Sequence, residues 1–400
     1  MGGSDELFER LRRRPDVEAP ELVAVDATDR LVLDLAADDL SALRGGRLVV
    51  VGDHYGALAL GAASRFGLDR IRSHQDSVVG ERALALNAED AGLTGRVAAV
   101  PLEATAVSGA RVVIGQLPKS LSALDELAEV LATGADEAAV VYLGGRLKYL
   151  TPAMNDVLRT HFRTVTASLA RQKSRVLIAR GPIRPGGADG PDGGPTHRFP
   201  AAGRIAELGL EVRAHGAAFG GIRLDQGTRQ LIAALDGPGG LDVAGRRGAT
   251  AVDLGCGTGV LAAHLARTRP ELRLIATDAS AAAIASTRAT LEANGLASTD
   301  EVRGRDGVVR LLRDDAMSSL PDGSVDIVVC NPPFHLDTAM HAGPAVKLIR
   351  AAGRVLAPGG ELWTVYNAHL RYRPLLRSVV GPTSVVRSDA KFVVTRSLRP

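Results

Sequence analysis

The sequence contains little cysteine and few aromatic residues. Two cysteines occur among 400 residues, and Phe, Trp and Tyr together make up 3%. So few cysteines exclude a framework of several disulfide bonds and are typical of a reducing compartment. No apolar run approaches the roughly 18 residues that a transmembrane helix needs. The amino terminus also lacks the apolar segment of a secretory signal. We therefore expect a cytoplasmic protein that makes no contact with membranes.

Lysine and arginine are concentrated in two segments, although the net charge is only +3. Nine of them lie between Arg146 and Arg184, and seven lie between Arg371 and Arg399, with one acid in each segment. Such clusters are typical of proteins that contact a phosphate backbone. An arginine-rich solvated surface explains them equally well, so charge alone leaves both interpretations open.

A stretch rich in glycine and proline, residues 181–200, divides the chain. It is predicted to link a first domain, residues 1–180, to a second domain, residues 201–400. In both halves apolar runs alternate with amphipathic stretches, which predicts an α/β fold with two doubly wound, mostly parallel sheets. In the second half we predict strands at 250–254, 272–278, 308–315, 325–330, 361–367 and 392–396, and helices ending at Ala266 and spanning 280–294 and about 343–355.

The two halves match each other at a constant shift of 203 residues. The stretch RLVVVGDHYGALAL (47–60) then aligns with ATAVDLGCGTGVLA (250–263), and the match continues to GL at 92–93 and 295–296. A constant shift over this length predicts a duplicated domain. Chance, or a shared bias toward alanine and glycine, is the alternative.

The second copy carries a glycine-rich turn, DLGCGTG (253–259). Its glycines allow a tight turn and let a ligand approach the backbone at a helix amino terminus, which suits NAD, FAD and S-adenosylmethionine alike. Asp278 ends the next predicted strand and could bind ribose hydroxyls or cap a helix. Asp314-Asp315 could meet an adenine amine or lie in a solvated turn. The predicted cofactor-binding residues are Asp253, Gly255, Gly257, Gly259, Asp278 and Asp315.

The fourth predicted strand of this copy ends in Asn331-Pro332-Pro333-Phe334. Two prolines suit neither a strand nor a helix, so the motif predicts rigid backbone at the edge where ligands bind. The exocyclic amine of a nucleobase is a poor nucleophile because its lone pair is delocalised. The Asn331 side-chain oxygen and the Pro332 carbonyl could accept its hydrogens and aim the lone pair at a methyl group, while Phe334 stacks on an extruded base. Asn331, Pro332 and Phe334 are therefore the predicted catalytic residues.

Together, the glycine turn and the Asn331–Phe334 motif resemble class I S-adenosylmethionine-dependent methyltransferases of amino groups. The wider pattern is similar to the bacterial rRNA guanine-N2 methyltransferases, which have tandem methyltransferase-like domains of which only the second is active. Stretches that support this resemblance are 219–229, 366–370 and 391–394. The last two, together with 117–127 and 144–152, resemble the large-subunit branch more than the small-subunit branch.

This resemblance implies S-adenosylmethionine as the methyl donor, ribosomal RNA as the partner and no metal. It also implies that Pro333 and His335 lie at the substrate. The sequence departs from the family pattern at the rim of the base pocket. Here Leu336-Asp337-Thr338 follows His335, where the family commonly has a turn containing glycine. Asn367 and His369 could face the substrate or could satisfy a strand end.

At the shift of 203 residues, the first copy has lost the residues predicted to bind the donor. Val50, His54 and Gln75 stand where the second copy has Asp253, Gly257 and Asp278. The sequence 116–119, Gln-Leu-Pro-Lys, stands at the position of the Asn331 motif. We expect this domain to bind no donor and to hold RNA, or to be a purely structural lid. The predicted phosphate contacts are Lys119, Arg146 and Lys148. Because a duplicated domain imitates a dimer within one chain, we expect a monomer.

Two alternatives remain open from the sequence. Similar motifs serve methylation of protein glutamine or of adenine N6, but the degenerate first copy and the Phe334-His335 ending argue against these substrates. A non-catalytic RNA-binding assembly factor is the other alternative. The intact glycine turn, Asp278 and the Asn331 motif argue against it.

Overall fold

The structure is a computed structural model of the 400-residue chain. It describes residues 2–184, 198–301, 307–332 and 343–400. The chain divides into two compact units, residues 1–199 and 200–400. The boundary between them falls within the stretch 181–200, most of which lies outside the described residues.

The first unit begins with three short helices and continues as an alternation of strands and helices. Its helices are α1 (Gly2–Arg10), α2 (Ala27–Leu35), α3 (Ala37–Ala42), α4 (Ala57–Phe66), α5 (Val78–Asp90), α6 (Leu121–Gly134) and α7 (Pro152–His161). Its strands are β1 (Leu48–Val51), β2 (Ile71–His74), β3 (Val97–Ala99), β4 (Val112–Gln116), β5 (Val140–Arg146), β6 (Phe162–Ala167) and β7 (Ser174–Pro182).

The strands described in the first unit form one sheet, in the order β3-β2-β1-β4-β5-β7-β6. Strands β1 to β5 pair in parallel, whereas β7 is antiparallel to both β5 and β6. All four residues of β1 are buried. Leu48 and Val50 belong to one apolar core, and Val49 and Val51 to another. A continuously apolar strand is needed here because both faces of the sheet are covered.

The second unit starts with a hairpin and then repeats the alternation. Its strands are β8 (Ala201–Ile205), β9 (Leu210–Ala214), β10 (Thr250–Leu254), β11 (Arg273–Asp278), β12 (Ala297–Thr299), β13 (Val308–Arg313), β14 (Val325–Cys330), β15 (Leu356–Asn367), β16 (Thr383–Ser388) and β17 (Phe392–Leu398). Its helices are α8 (Gln226–Asp236), α9 (Val260–Thr268), α10 (Ala281–Ala293), α11 (Gly343–Val355) and α12 (Arg373–Val379).

The main sheet described in the second unit has the order β12-β13-β11-β10-β14-β15-β17-β16. Its strands are parallel except for β17, which is antiparallel to β15 and β16. Ala251 packs in the core on one face, and Val252 and Leu254 pack in the core on the other. The expected α/β fold with two tandem, mostly parallel sheets is confirmed.

Most predicted elements of the second half are present, and the deviations have physical causes. Strands β10 and β14 have the predicted bounds, and α10 begins after Ser280, whose hydroxyl accepts from the backbone N–H of Ala283 at 3.1 Å. Strand β15 starts at Leu356, five residues before its prediction. The Pro-Gly-Gly sequence within it interrupts the apolar pattern, and the pairing with β14 shifts register there. The hairpin β8–β9 and strand β16 were not predicted.

The turns after β1 and β10 share one backbone conformation. Each has positive φ at the same three positions, namely Gly52 (+63°), His54 (+55°) and Gly56 (+97°) in the first unit, and Gly255 (+79°), Gly257 (+54°) and Gly259 (+77°) in the second. Left-handed backbone is unfavourable for residues with a Cβ, so a histidine at the middle position is unusual. Residues that match at the shift of 203 therefore have the same backbone conformation in this turn.

Candidate active site

The glycine turn of the second unit joins β10 to α9 and leaves its first glycine open. A Cβ added to Gly255 would meet no atom within 4 Å, and one added to Gly257 would meet only the Phe219 carbonyl oxygen, at 3.5 Å. A Cβ on Gly259, by contrast, would lie 2.7 Å from the Cα of Thr287. The last glycine thus serves close packing of α9 on α10, while the first two leave room for a ligand to approach the backbone.

Asp278 ends β11 and faces the glycine turn. One of its oxygens, Oδ2, accepts from the Gly257 N–H at 3.1 Å, and Oδ1 accepts from the Ser280 N–H at 3.0 Å. The helix cap itself is Ser280, so capping of α10 does not account for Asp278. The half-buried carboxylate lies beside the turn, where an acid can accept from ribose hydroxyls.

Asp253 is buried within β10, with 2% of its surface exposed. Its carboxylate accepts from the N–H of Ala262 in α9, and its Oδ2 has no hydrogen-bond partner among the described residues. Burial raises the pKa of Asp253 to about 7, and the negative charge of Asp278 contributes in the same direction. Asp253 therefore links the strand to the amino terminus of α9, and a direct contact with a cofactor stays a prediction.

The two acids after β13 have different surroundings, and neither lies in a simple solvated turn. Asp314 is buried, and its carboxylate accepts four hydrogen bonds, from the N–H of Asp315, the hydroxyl of Ser318, and the N–H and hydroxyl of Ser319. It therefore anchors the loop. Asp315 accepts from Lys347 Nζ at 2.5 Å. A cofactor contact by Asp315, which stays a prediction, would have to share the carboxylate with this ammonium.

Asn331 follows β14 and has a defined orientation. Its Nδ2 donates to Asp225 Oδ2 at 2.9 Å and to Thr228 Oγ1 at 3.0 Å. A carboxylate can only accept when it is ionised, so these contacts identify the nitrogen end of the amide. Both N–H groups are used, which leaves Oδ1 as the end that can accept from a ligand.

Helix α8 is the element that holds Asn331 in place. Asp225 is its N-cap and accepts from the Thr228 N–H through the same oxygen that Asn331 contacts. A Cβ on Gly227 would lie 2.9 Å from Asn331 Oδ1, so only glycine allows this approach. The pattern of the sequence assigned no role to Asp225, Gly227 or Thr228. Their only signal was that they fall within the stretch 219–229 that carried the family resemblance.

The remainder of the Asn331 motif is only partly described. Pro332 is buried next to Asn331. Pro333, Phe334 and His335 lie outside the described residues, so their predicted roles stay predictions. Asn367 ends β15 and is half-buried, whereas His369 is exposed.

The corresponding site in the first unit has other side chains. By strand register, Gly115 pairs with Val51 as Cys330 pairs with Leu254, so Gln116 occupies the position of Asn331. Gln116 Nε2 donates to Asp29 Oδ1 at 2.5 Å, which links β4 to the first turn of α2.

The residue in the position of Asp278 in the first unit is Gln75. Its side chain is 3% exposed, and its Nε2 donates to the Gly80 carbonyl at 3.3 Å. A Cβ on Gly80 would lie 2.6 Å from Gln75 Oε1. The amide is therefore packed against α5, and it carries no charge with which to hold a ribose.

Both cysteines are buried, and neither is suited to thiolate chemistry. Cys256 lies in the glycine turn and accepts from the Thr287 hydroxyl, and Cys330 pairs with Leu254 at the end of β14. Burial, followed by the nearby carboxylates, raises the pKa of both thiols well above its ordinary value. They are neutral packing residues at physiological pH.

The basic segments contain both structural and exposed cations. Arg184 donates to the carbonyls at the carboxyl end of α6, and Arg396 contacts the buried carboxylate of Glu361. These two arginines therefore serve the fold. Among the predicted phosphate contacts, Lys119 and Lys148 are exposed and Arg146 is half-buried.

Two further findings concern the described residues only. They contain no group of three or more His, Cys, Asp or Glu side chains that could hold a metal ion. They also contain no helix with the length and apolar character needed to cross a membrane.

Comparison with known proteins adds two family matches. Residues 4–182 match the RLMG N-terminal domain, and residues 209–396 match the methyltransferase small domain. The chain is 34% identical over 398 residues to the ribosomal RNA large subunit methyltransferase G of Streptomyces coelicolor, with 97% of each chain covered. It is 32% identical to the protein of that name from Pseudomonas aeruginosa PAO1, with 97% of this chain and 96% of the relative covered.

Among solved structures, the chain is similar to the Thermus thermophilus 16S rRNA N2 G1207 methyltransferase, solved with S-adenosylmethionine and guanosine. The TM-score is 0.67 at 20% identity, with 99% of each chain covered, which supports the fold of both units. The expectation of a methyltransferase that uses S-adenosylmethionine is confirmed, and the open glycines and Asp278 fit that donor. The chain belongs to the ribosomal RNA large subunit methyltransferase G family.

Proposed function

We propose that this protein transfers a methyl group from S-adenosylmethionine to the exocyclic N2 amine of a guanine in the RNA of the large ribosomal subunit. The orientation of Asn331 is the observation that carries this proposal. Its two N–H groups are donated to Asp225 and Thr228, so Oδ1 remains to accept from an amine hydrogen. An acceptor that is already oriented costs little reorganisation during the reaction.

The N2 amine is activated by two acceptors in this proposal, Asn331 Oδ1 and the Pro332 carbonyl. Hydrogen bonds to its two hydrogens draw the nitrogen toward a tetrahedral geometry and make its lone pair available. The lone pair then forms the N–C bond while the C–S bond breaks and its electrons stay on sulfur. The proton released from the nitrogen passes to water. Phe334 and His335 are proposed to form the rim of the base pocket, with Pro333 keeping the backbone rigid.

When S-adenosylmethionine occupies this site, it supplies the methyl group, which is attached to a positively charged sulfur. Asp278 is proposed to accept from the ribose hydroxyls, and Gly255 and Gly257 to admit the donor to the backbone at the amino terminus of α9. Asp315 is proposed to meet the adenine amine. Asp253 and Gly259 are proposed to support the turn from behind.

The first unit is proposed to contribute to RNA binding and not to chemistry. Gln75 replaces the ribose-binding acid, and His54 places a side chain at the middle position of the turn. Lys119, Arg146 and Lys148 are the proposed phosphate contacts. One chain is proposed as the working unit, since both copies of the domain are present within it.

The test is transfer of labelled methyl from S-adenosylmethionine to unmodified large- and small-subunit rRNA, assayed separately and followed by digestion to nucleosides. We expect label in N2-methylguanosine from the large-subunit RNA alone. Label in N6-methyladenosine, in small-subunit RNA only or in a protein glutamine would contradict the proposal. If naked RNA accepts no methyl, the assay is repeated with assembled subunit particles. Transfer to the particles would show that the enzyme is active and requires an assembled substrate.

A further inference from the structure

The first unit contains a cavity of about 470 Å³ at the carboxyl ends of β1, β4 and β5. This volume lies within the range of about 300–1,000 Å³ that is usual for ligand sites. The carboxyl edge of a doubly wound sheet is also where such folds bind ligands. Among the residues that line the cavity are Asp26, His54, Gln116, Lys119, Arg146 and Tyr149.

This cavity corresponds in position to the part of the second unit's site that contains Asn331. Gln116, which lines it, has the position of Asn331 at the end of the fourth strand. Gln75, which has the position of the ribose acid, is buried against Gly80 and does not line it. His54, at the middle position of the turn, lines the cavity. In the first unit the space beside Gln116 is therefore open, and the position of the ribose acid holds a buried, uncharged amide.

An aromatic ring and cations lie together at the cavity, which Lys119, Arg146 and Tyr149 line. The Tyr149 ring is 39% exposed, and the Nζ atoms of Lys119 and Lys148 lie 5.3 and 4.5 Å from its centroid. Within the described part of the chain, neither lysine has a carboxylate at ion-pair distance. Arg146 lies 3.7 Å from Asp26. Both ammonium groups lie over the ring, so a base can stack there when they move from the ring to its attached phosphate.

The wall of the cavity is mostly apolar, but it carries several polar groups that can contact the edge of a base. Gln116 donates to the buried carboxyl of Asp29, and Asp26 lies at the N-cap of α2. The two oxygens of Asp29 accept from the Asp26 N–H at 2.8 Å and from Gln116, which leaves Gln116 Oε1 and the Asp26 carboxylate as groups that can face a ligand. Such groups suit a ligand that carries both donors and acceptors on one edge.

We propose that this cavity binds one unpaired nucleotide of the RNA substrate, with the base stacked on Tyr149 and its phosphate between Lys119 and Lys148. This inference rests on the proposed function, because it takes ribosomal RNA as the substrate. Unpaired bases that stack on aromatic side chains are the usual means of recognising RNA outside its helices. The nucleotide bound here is not the one methylated, since Gln75 and His54 stand in this copy where the second unit has Asp278 and Gly257.

The experiment uses the full chain with S-adenosylhomocysteine present at saturation to occupy the donor site of the second unit. A nucleotide in the base pocket of that unit is recognised because Lys119→Ala and Tyr149→Ala leave its binding unchanged. Binding of each of the four nucleoside 5′-monophosphates is measured by ligand-observed NMR. The affinity for unmodified rRNA is measured in parallel by filter binding. The variants are Lys119→Ala and Tyr149→Ala, with Arg159→Ala as the control because Arg159 is exposed and pairs only with the exposed Asp156 among the described residues. Circular dichroism checks that each variant folds.

We expect at least one nucleotide to bind alongside S-adenosylhomocysteine. Lys119→Ala and Tyr149→Ala should each weaken nucleotide binding and rRNA affinity about tenfold, as stacking contacts and phosphate contacts usually do, while Arg159→Ala changes neither. Nucleotide binding that S-adenosylhomocysteine abolishes would overturn the inference. Nucleotide binding lost in both variants with unchanged rRNA affinity would also overturn it, because the cavity would then serve a free nucleotide. These outcomes are independent of methyl transfer, which tests the proposed function separately.

Discussion

The two units share a backbone and differ in the side chains that a donor would meet. Each has positive φ at the same three positions of the turn after its first central strand. In each, an amide side chain donates to the first turn of an earlier helix: Gln116, at the end of β4, donates to Asp29, and Asn331, after β14, donates to Thr228. Strand register and turn conformation are therefore common to the two units and do not depend on the side chains at the donor site. His54 and Gln75 stand opposite Gly257 and Asp278, so the proposed difference in donor binding comes down to a few side chains.

A buried acid holds the helix after the turn in both units, but from different positions. Asp53, in the turn itself, accepts from the N–H groups of Leu58 and Ala59. Asp253, in the strand, accepts from Ala262, which matches Ala59 at the shift of 203 residues. The helix terminus needs an acceptor, and either position can supply it. This comparison indicates that the acid of the glycine motif stabilises the turn.

The largest expected effect separates chemistry from donor binding. Asn331→Ala removes the oriented acceptor, so methyl transfer in a single turnover should fall about 100- to 1,000-fold, as loss of a preorganised hydrogen-bonding group usually does. The affinity for S-adenosylhomocysteine should stay within about twofold. Asn155→Ala, on α7 of the first unit, is the control. Equal losses of transfer and affinity would show that Asn331 acts on the donor site and not on the amine.

The second largest effect is expected when the histidine of the first unit's turn is introduced into the turn of the second unit. Gly257→His should weaken binding of S-adenosylhomocysteine about 100-fold, or by about 3 kcal/mol, because a side chain would occupy the donor's approach. The fold should persist, since His54 adopts the same φ and a Cβ at Gly257 meets only an ordinary contact. Gly295→His is the matched control, because Gly295 also has positive φ and open space around it. Unchanged affinity in Gly257→His would mean that a histidine at this position does not prevent donor binding, so His54 could not account for the proposed absence of a donor in the first unit.

A smaller effect is expected from the residues that orient Asn331. Thr228→Val keeps the shape of the side chain but removes one acceptor, so the rate of transfer should fall about five- to tenfold, the usual value of one hydrogen bond. Donor affinity and the melting temperature should change little. Thr228→Ser, which keeps the hydroxyl, should restore most of the rate. A rate in Thr228→Ser as low as in Thr228→Val would indicate a packing role instead.

The smallest effect concerns pH and the acid of the first turn. Burial raises the pKa of Asp53 to about 8, above the value of about 4 expected in the unfolded chain. The folded state then binds the proton more tightly, so this contribution to stability is present below pH 4 and is lost as the pH rises toward 8. Asp53→Asn should therefore gain thermal stability relative to the wild type between pH 5 and pH 8. Asp38→Asn, at an exposed position, should show no such trend.

The sequence was sufficient to predict much of the fold because its strands are short apolar runs bounded by turns. Strands β10 and β14 and a helix over 280–294 were predicted from local patterns alone, whereas the N-cap is Ser280 and not Asp278. The Asp225 and Thr228 contacts with Asn331 were not, because they join residues more than 100 positions apart and leave no periodic signal. The strand that begins at Leu356 was predicted too short, because the glycines within it interrupt the apolar pattern. Composition also could not distinguish structural arginines such as Arg184 from exposed ones.

The most direct test of this division between the units is the number of donor sites per chain. Titration calorimetry with S-adenosylhomocysteine should give one site per chain in the wild type. That site should weaken about 10- to 100-fold in Asp278→Ala, which loses hydrogen bonds to a charged group, and should be unchanged in Gln75→Ala. Two sites per chain, or a single site weakened by Gln75→Ala and not by Asp278→Ala, would contradict the account.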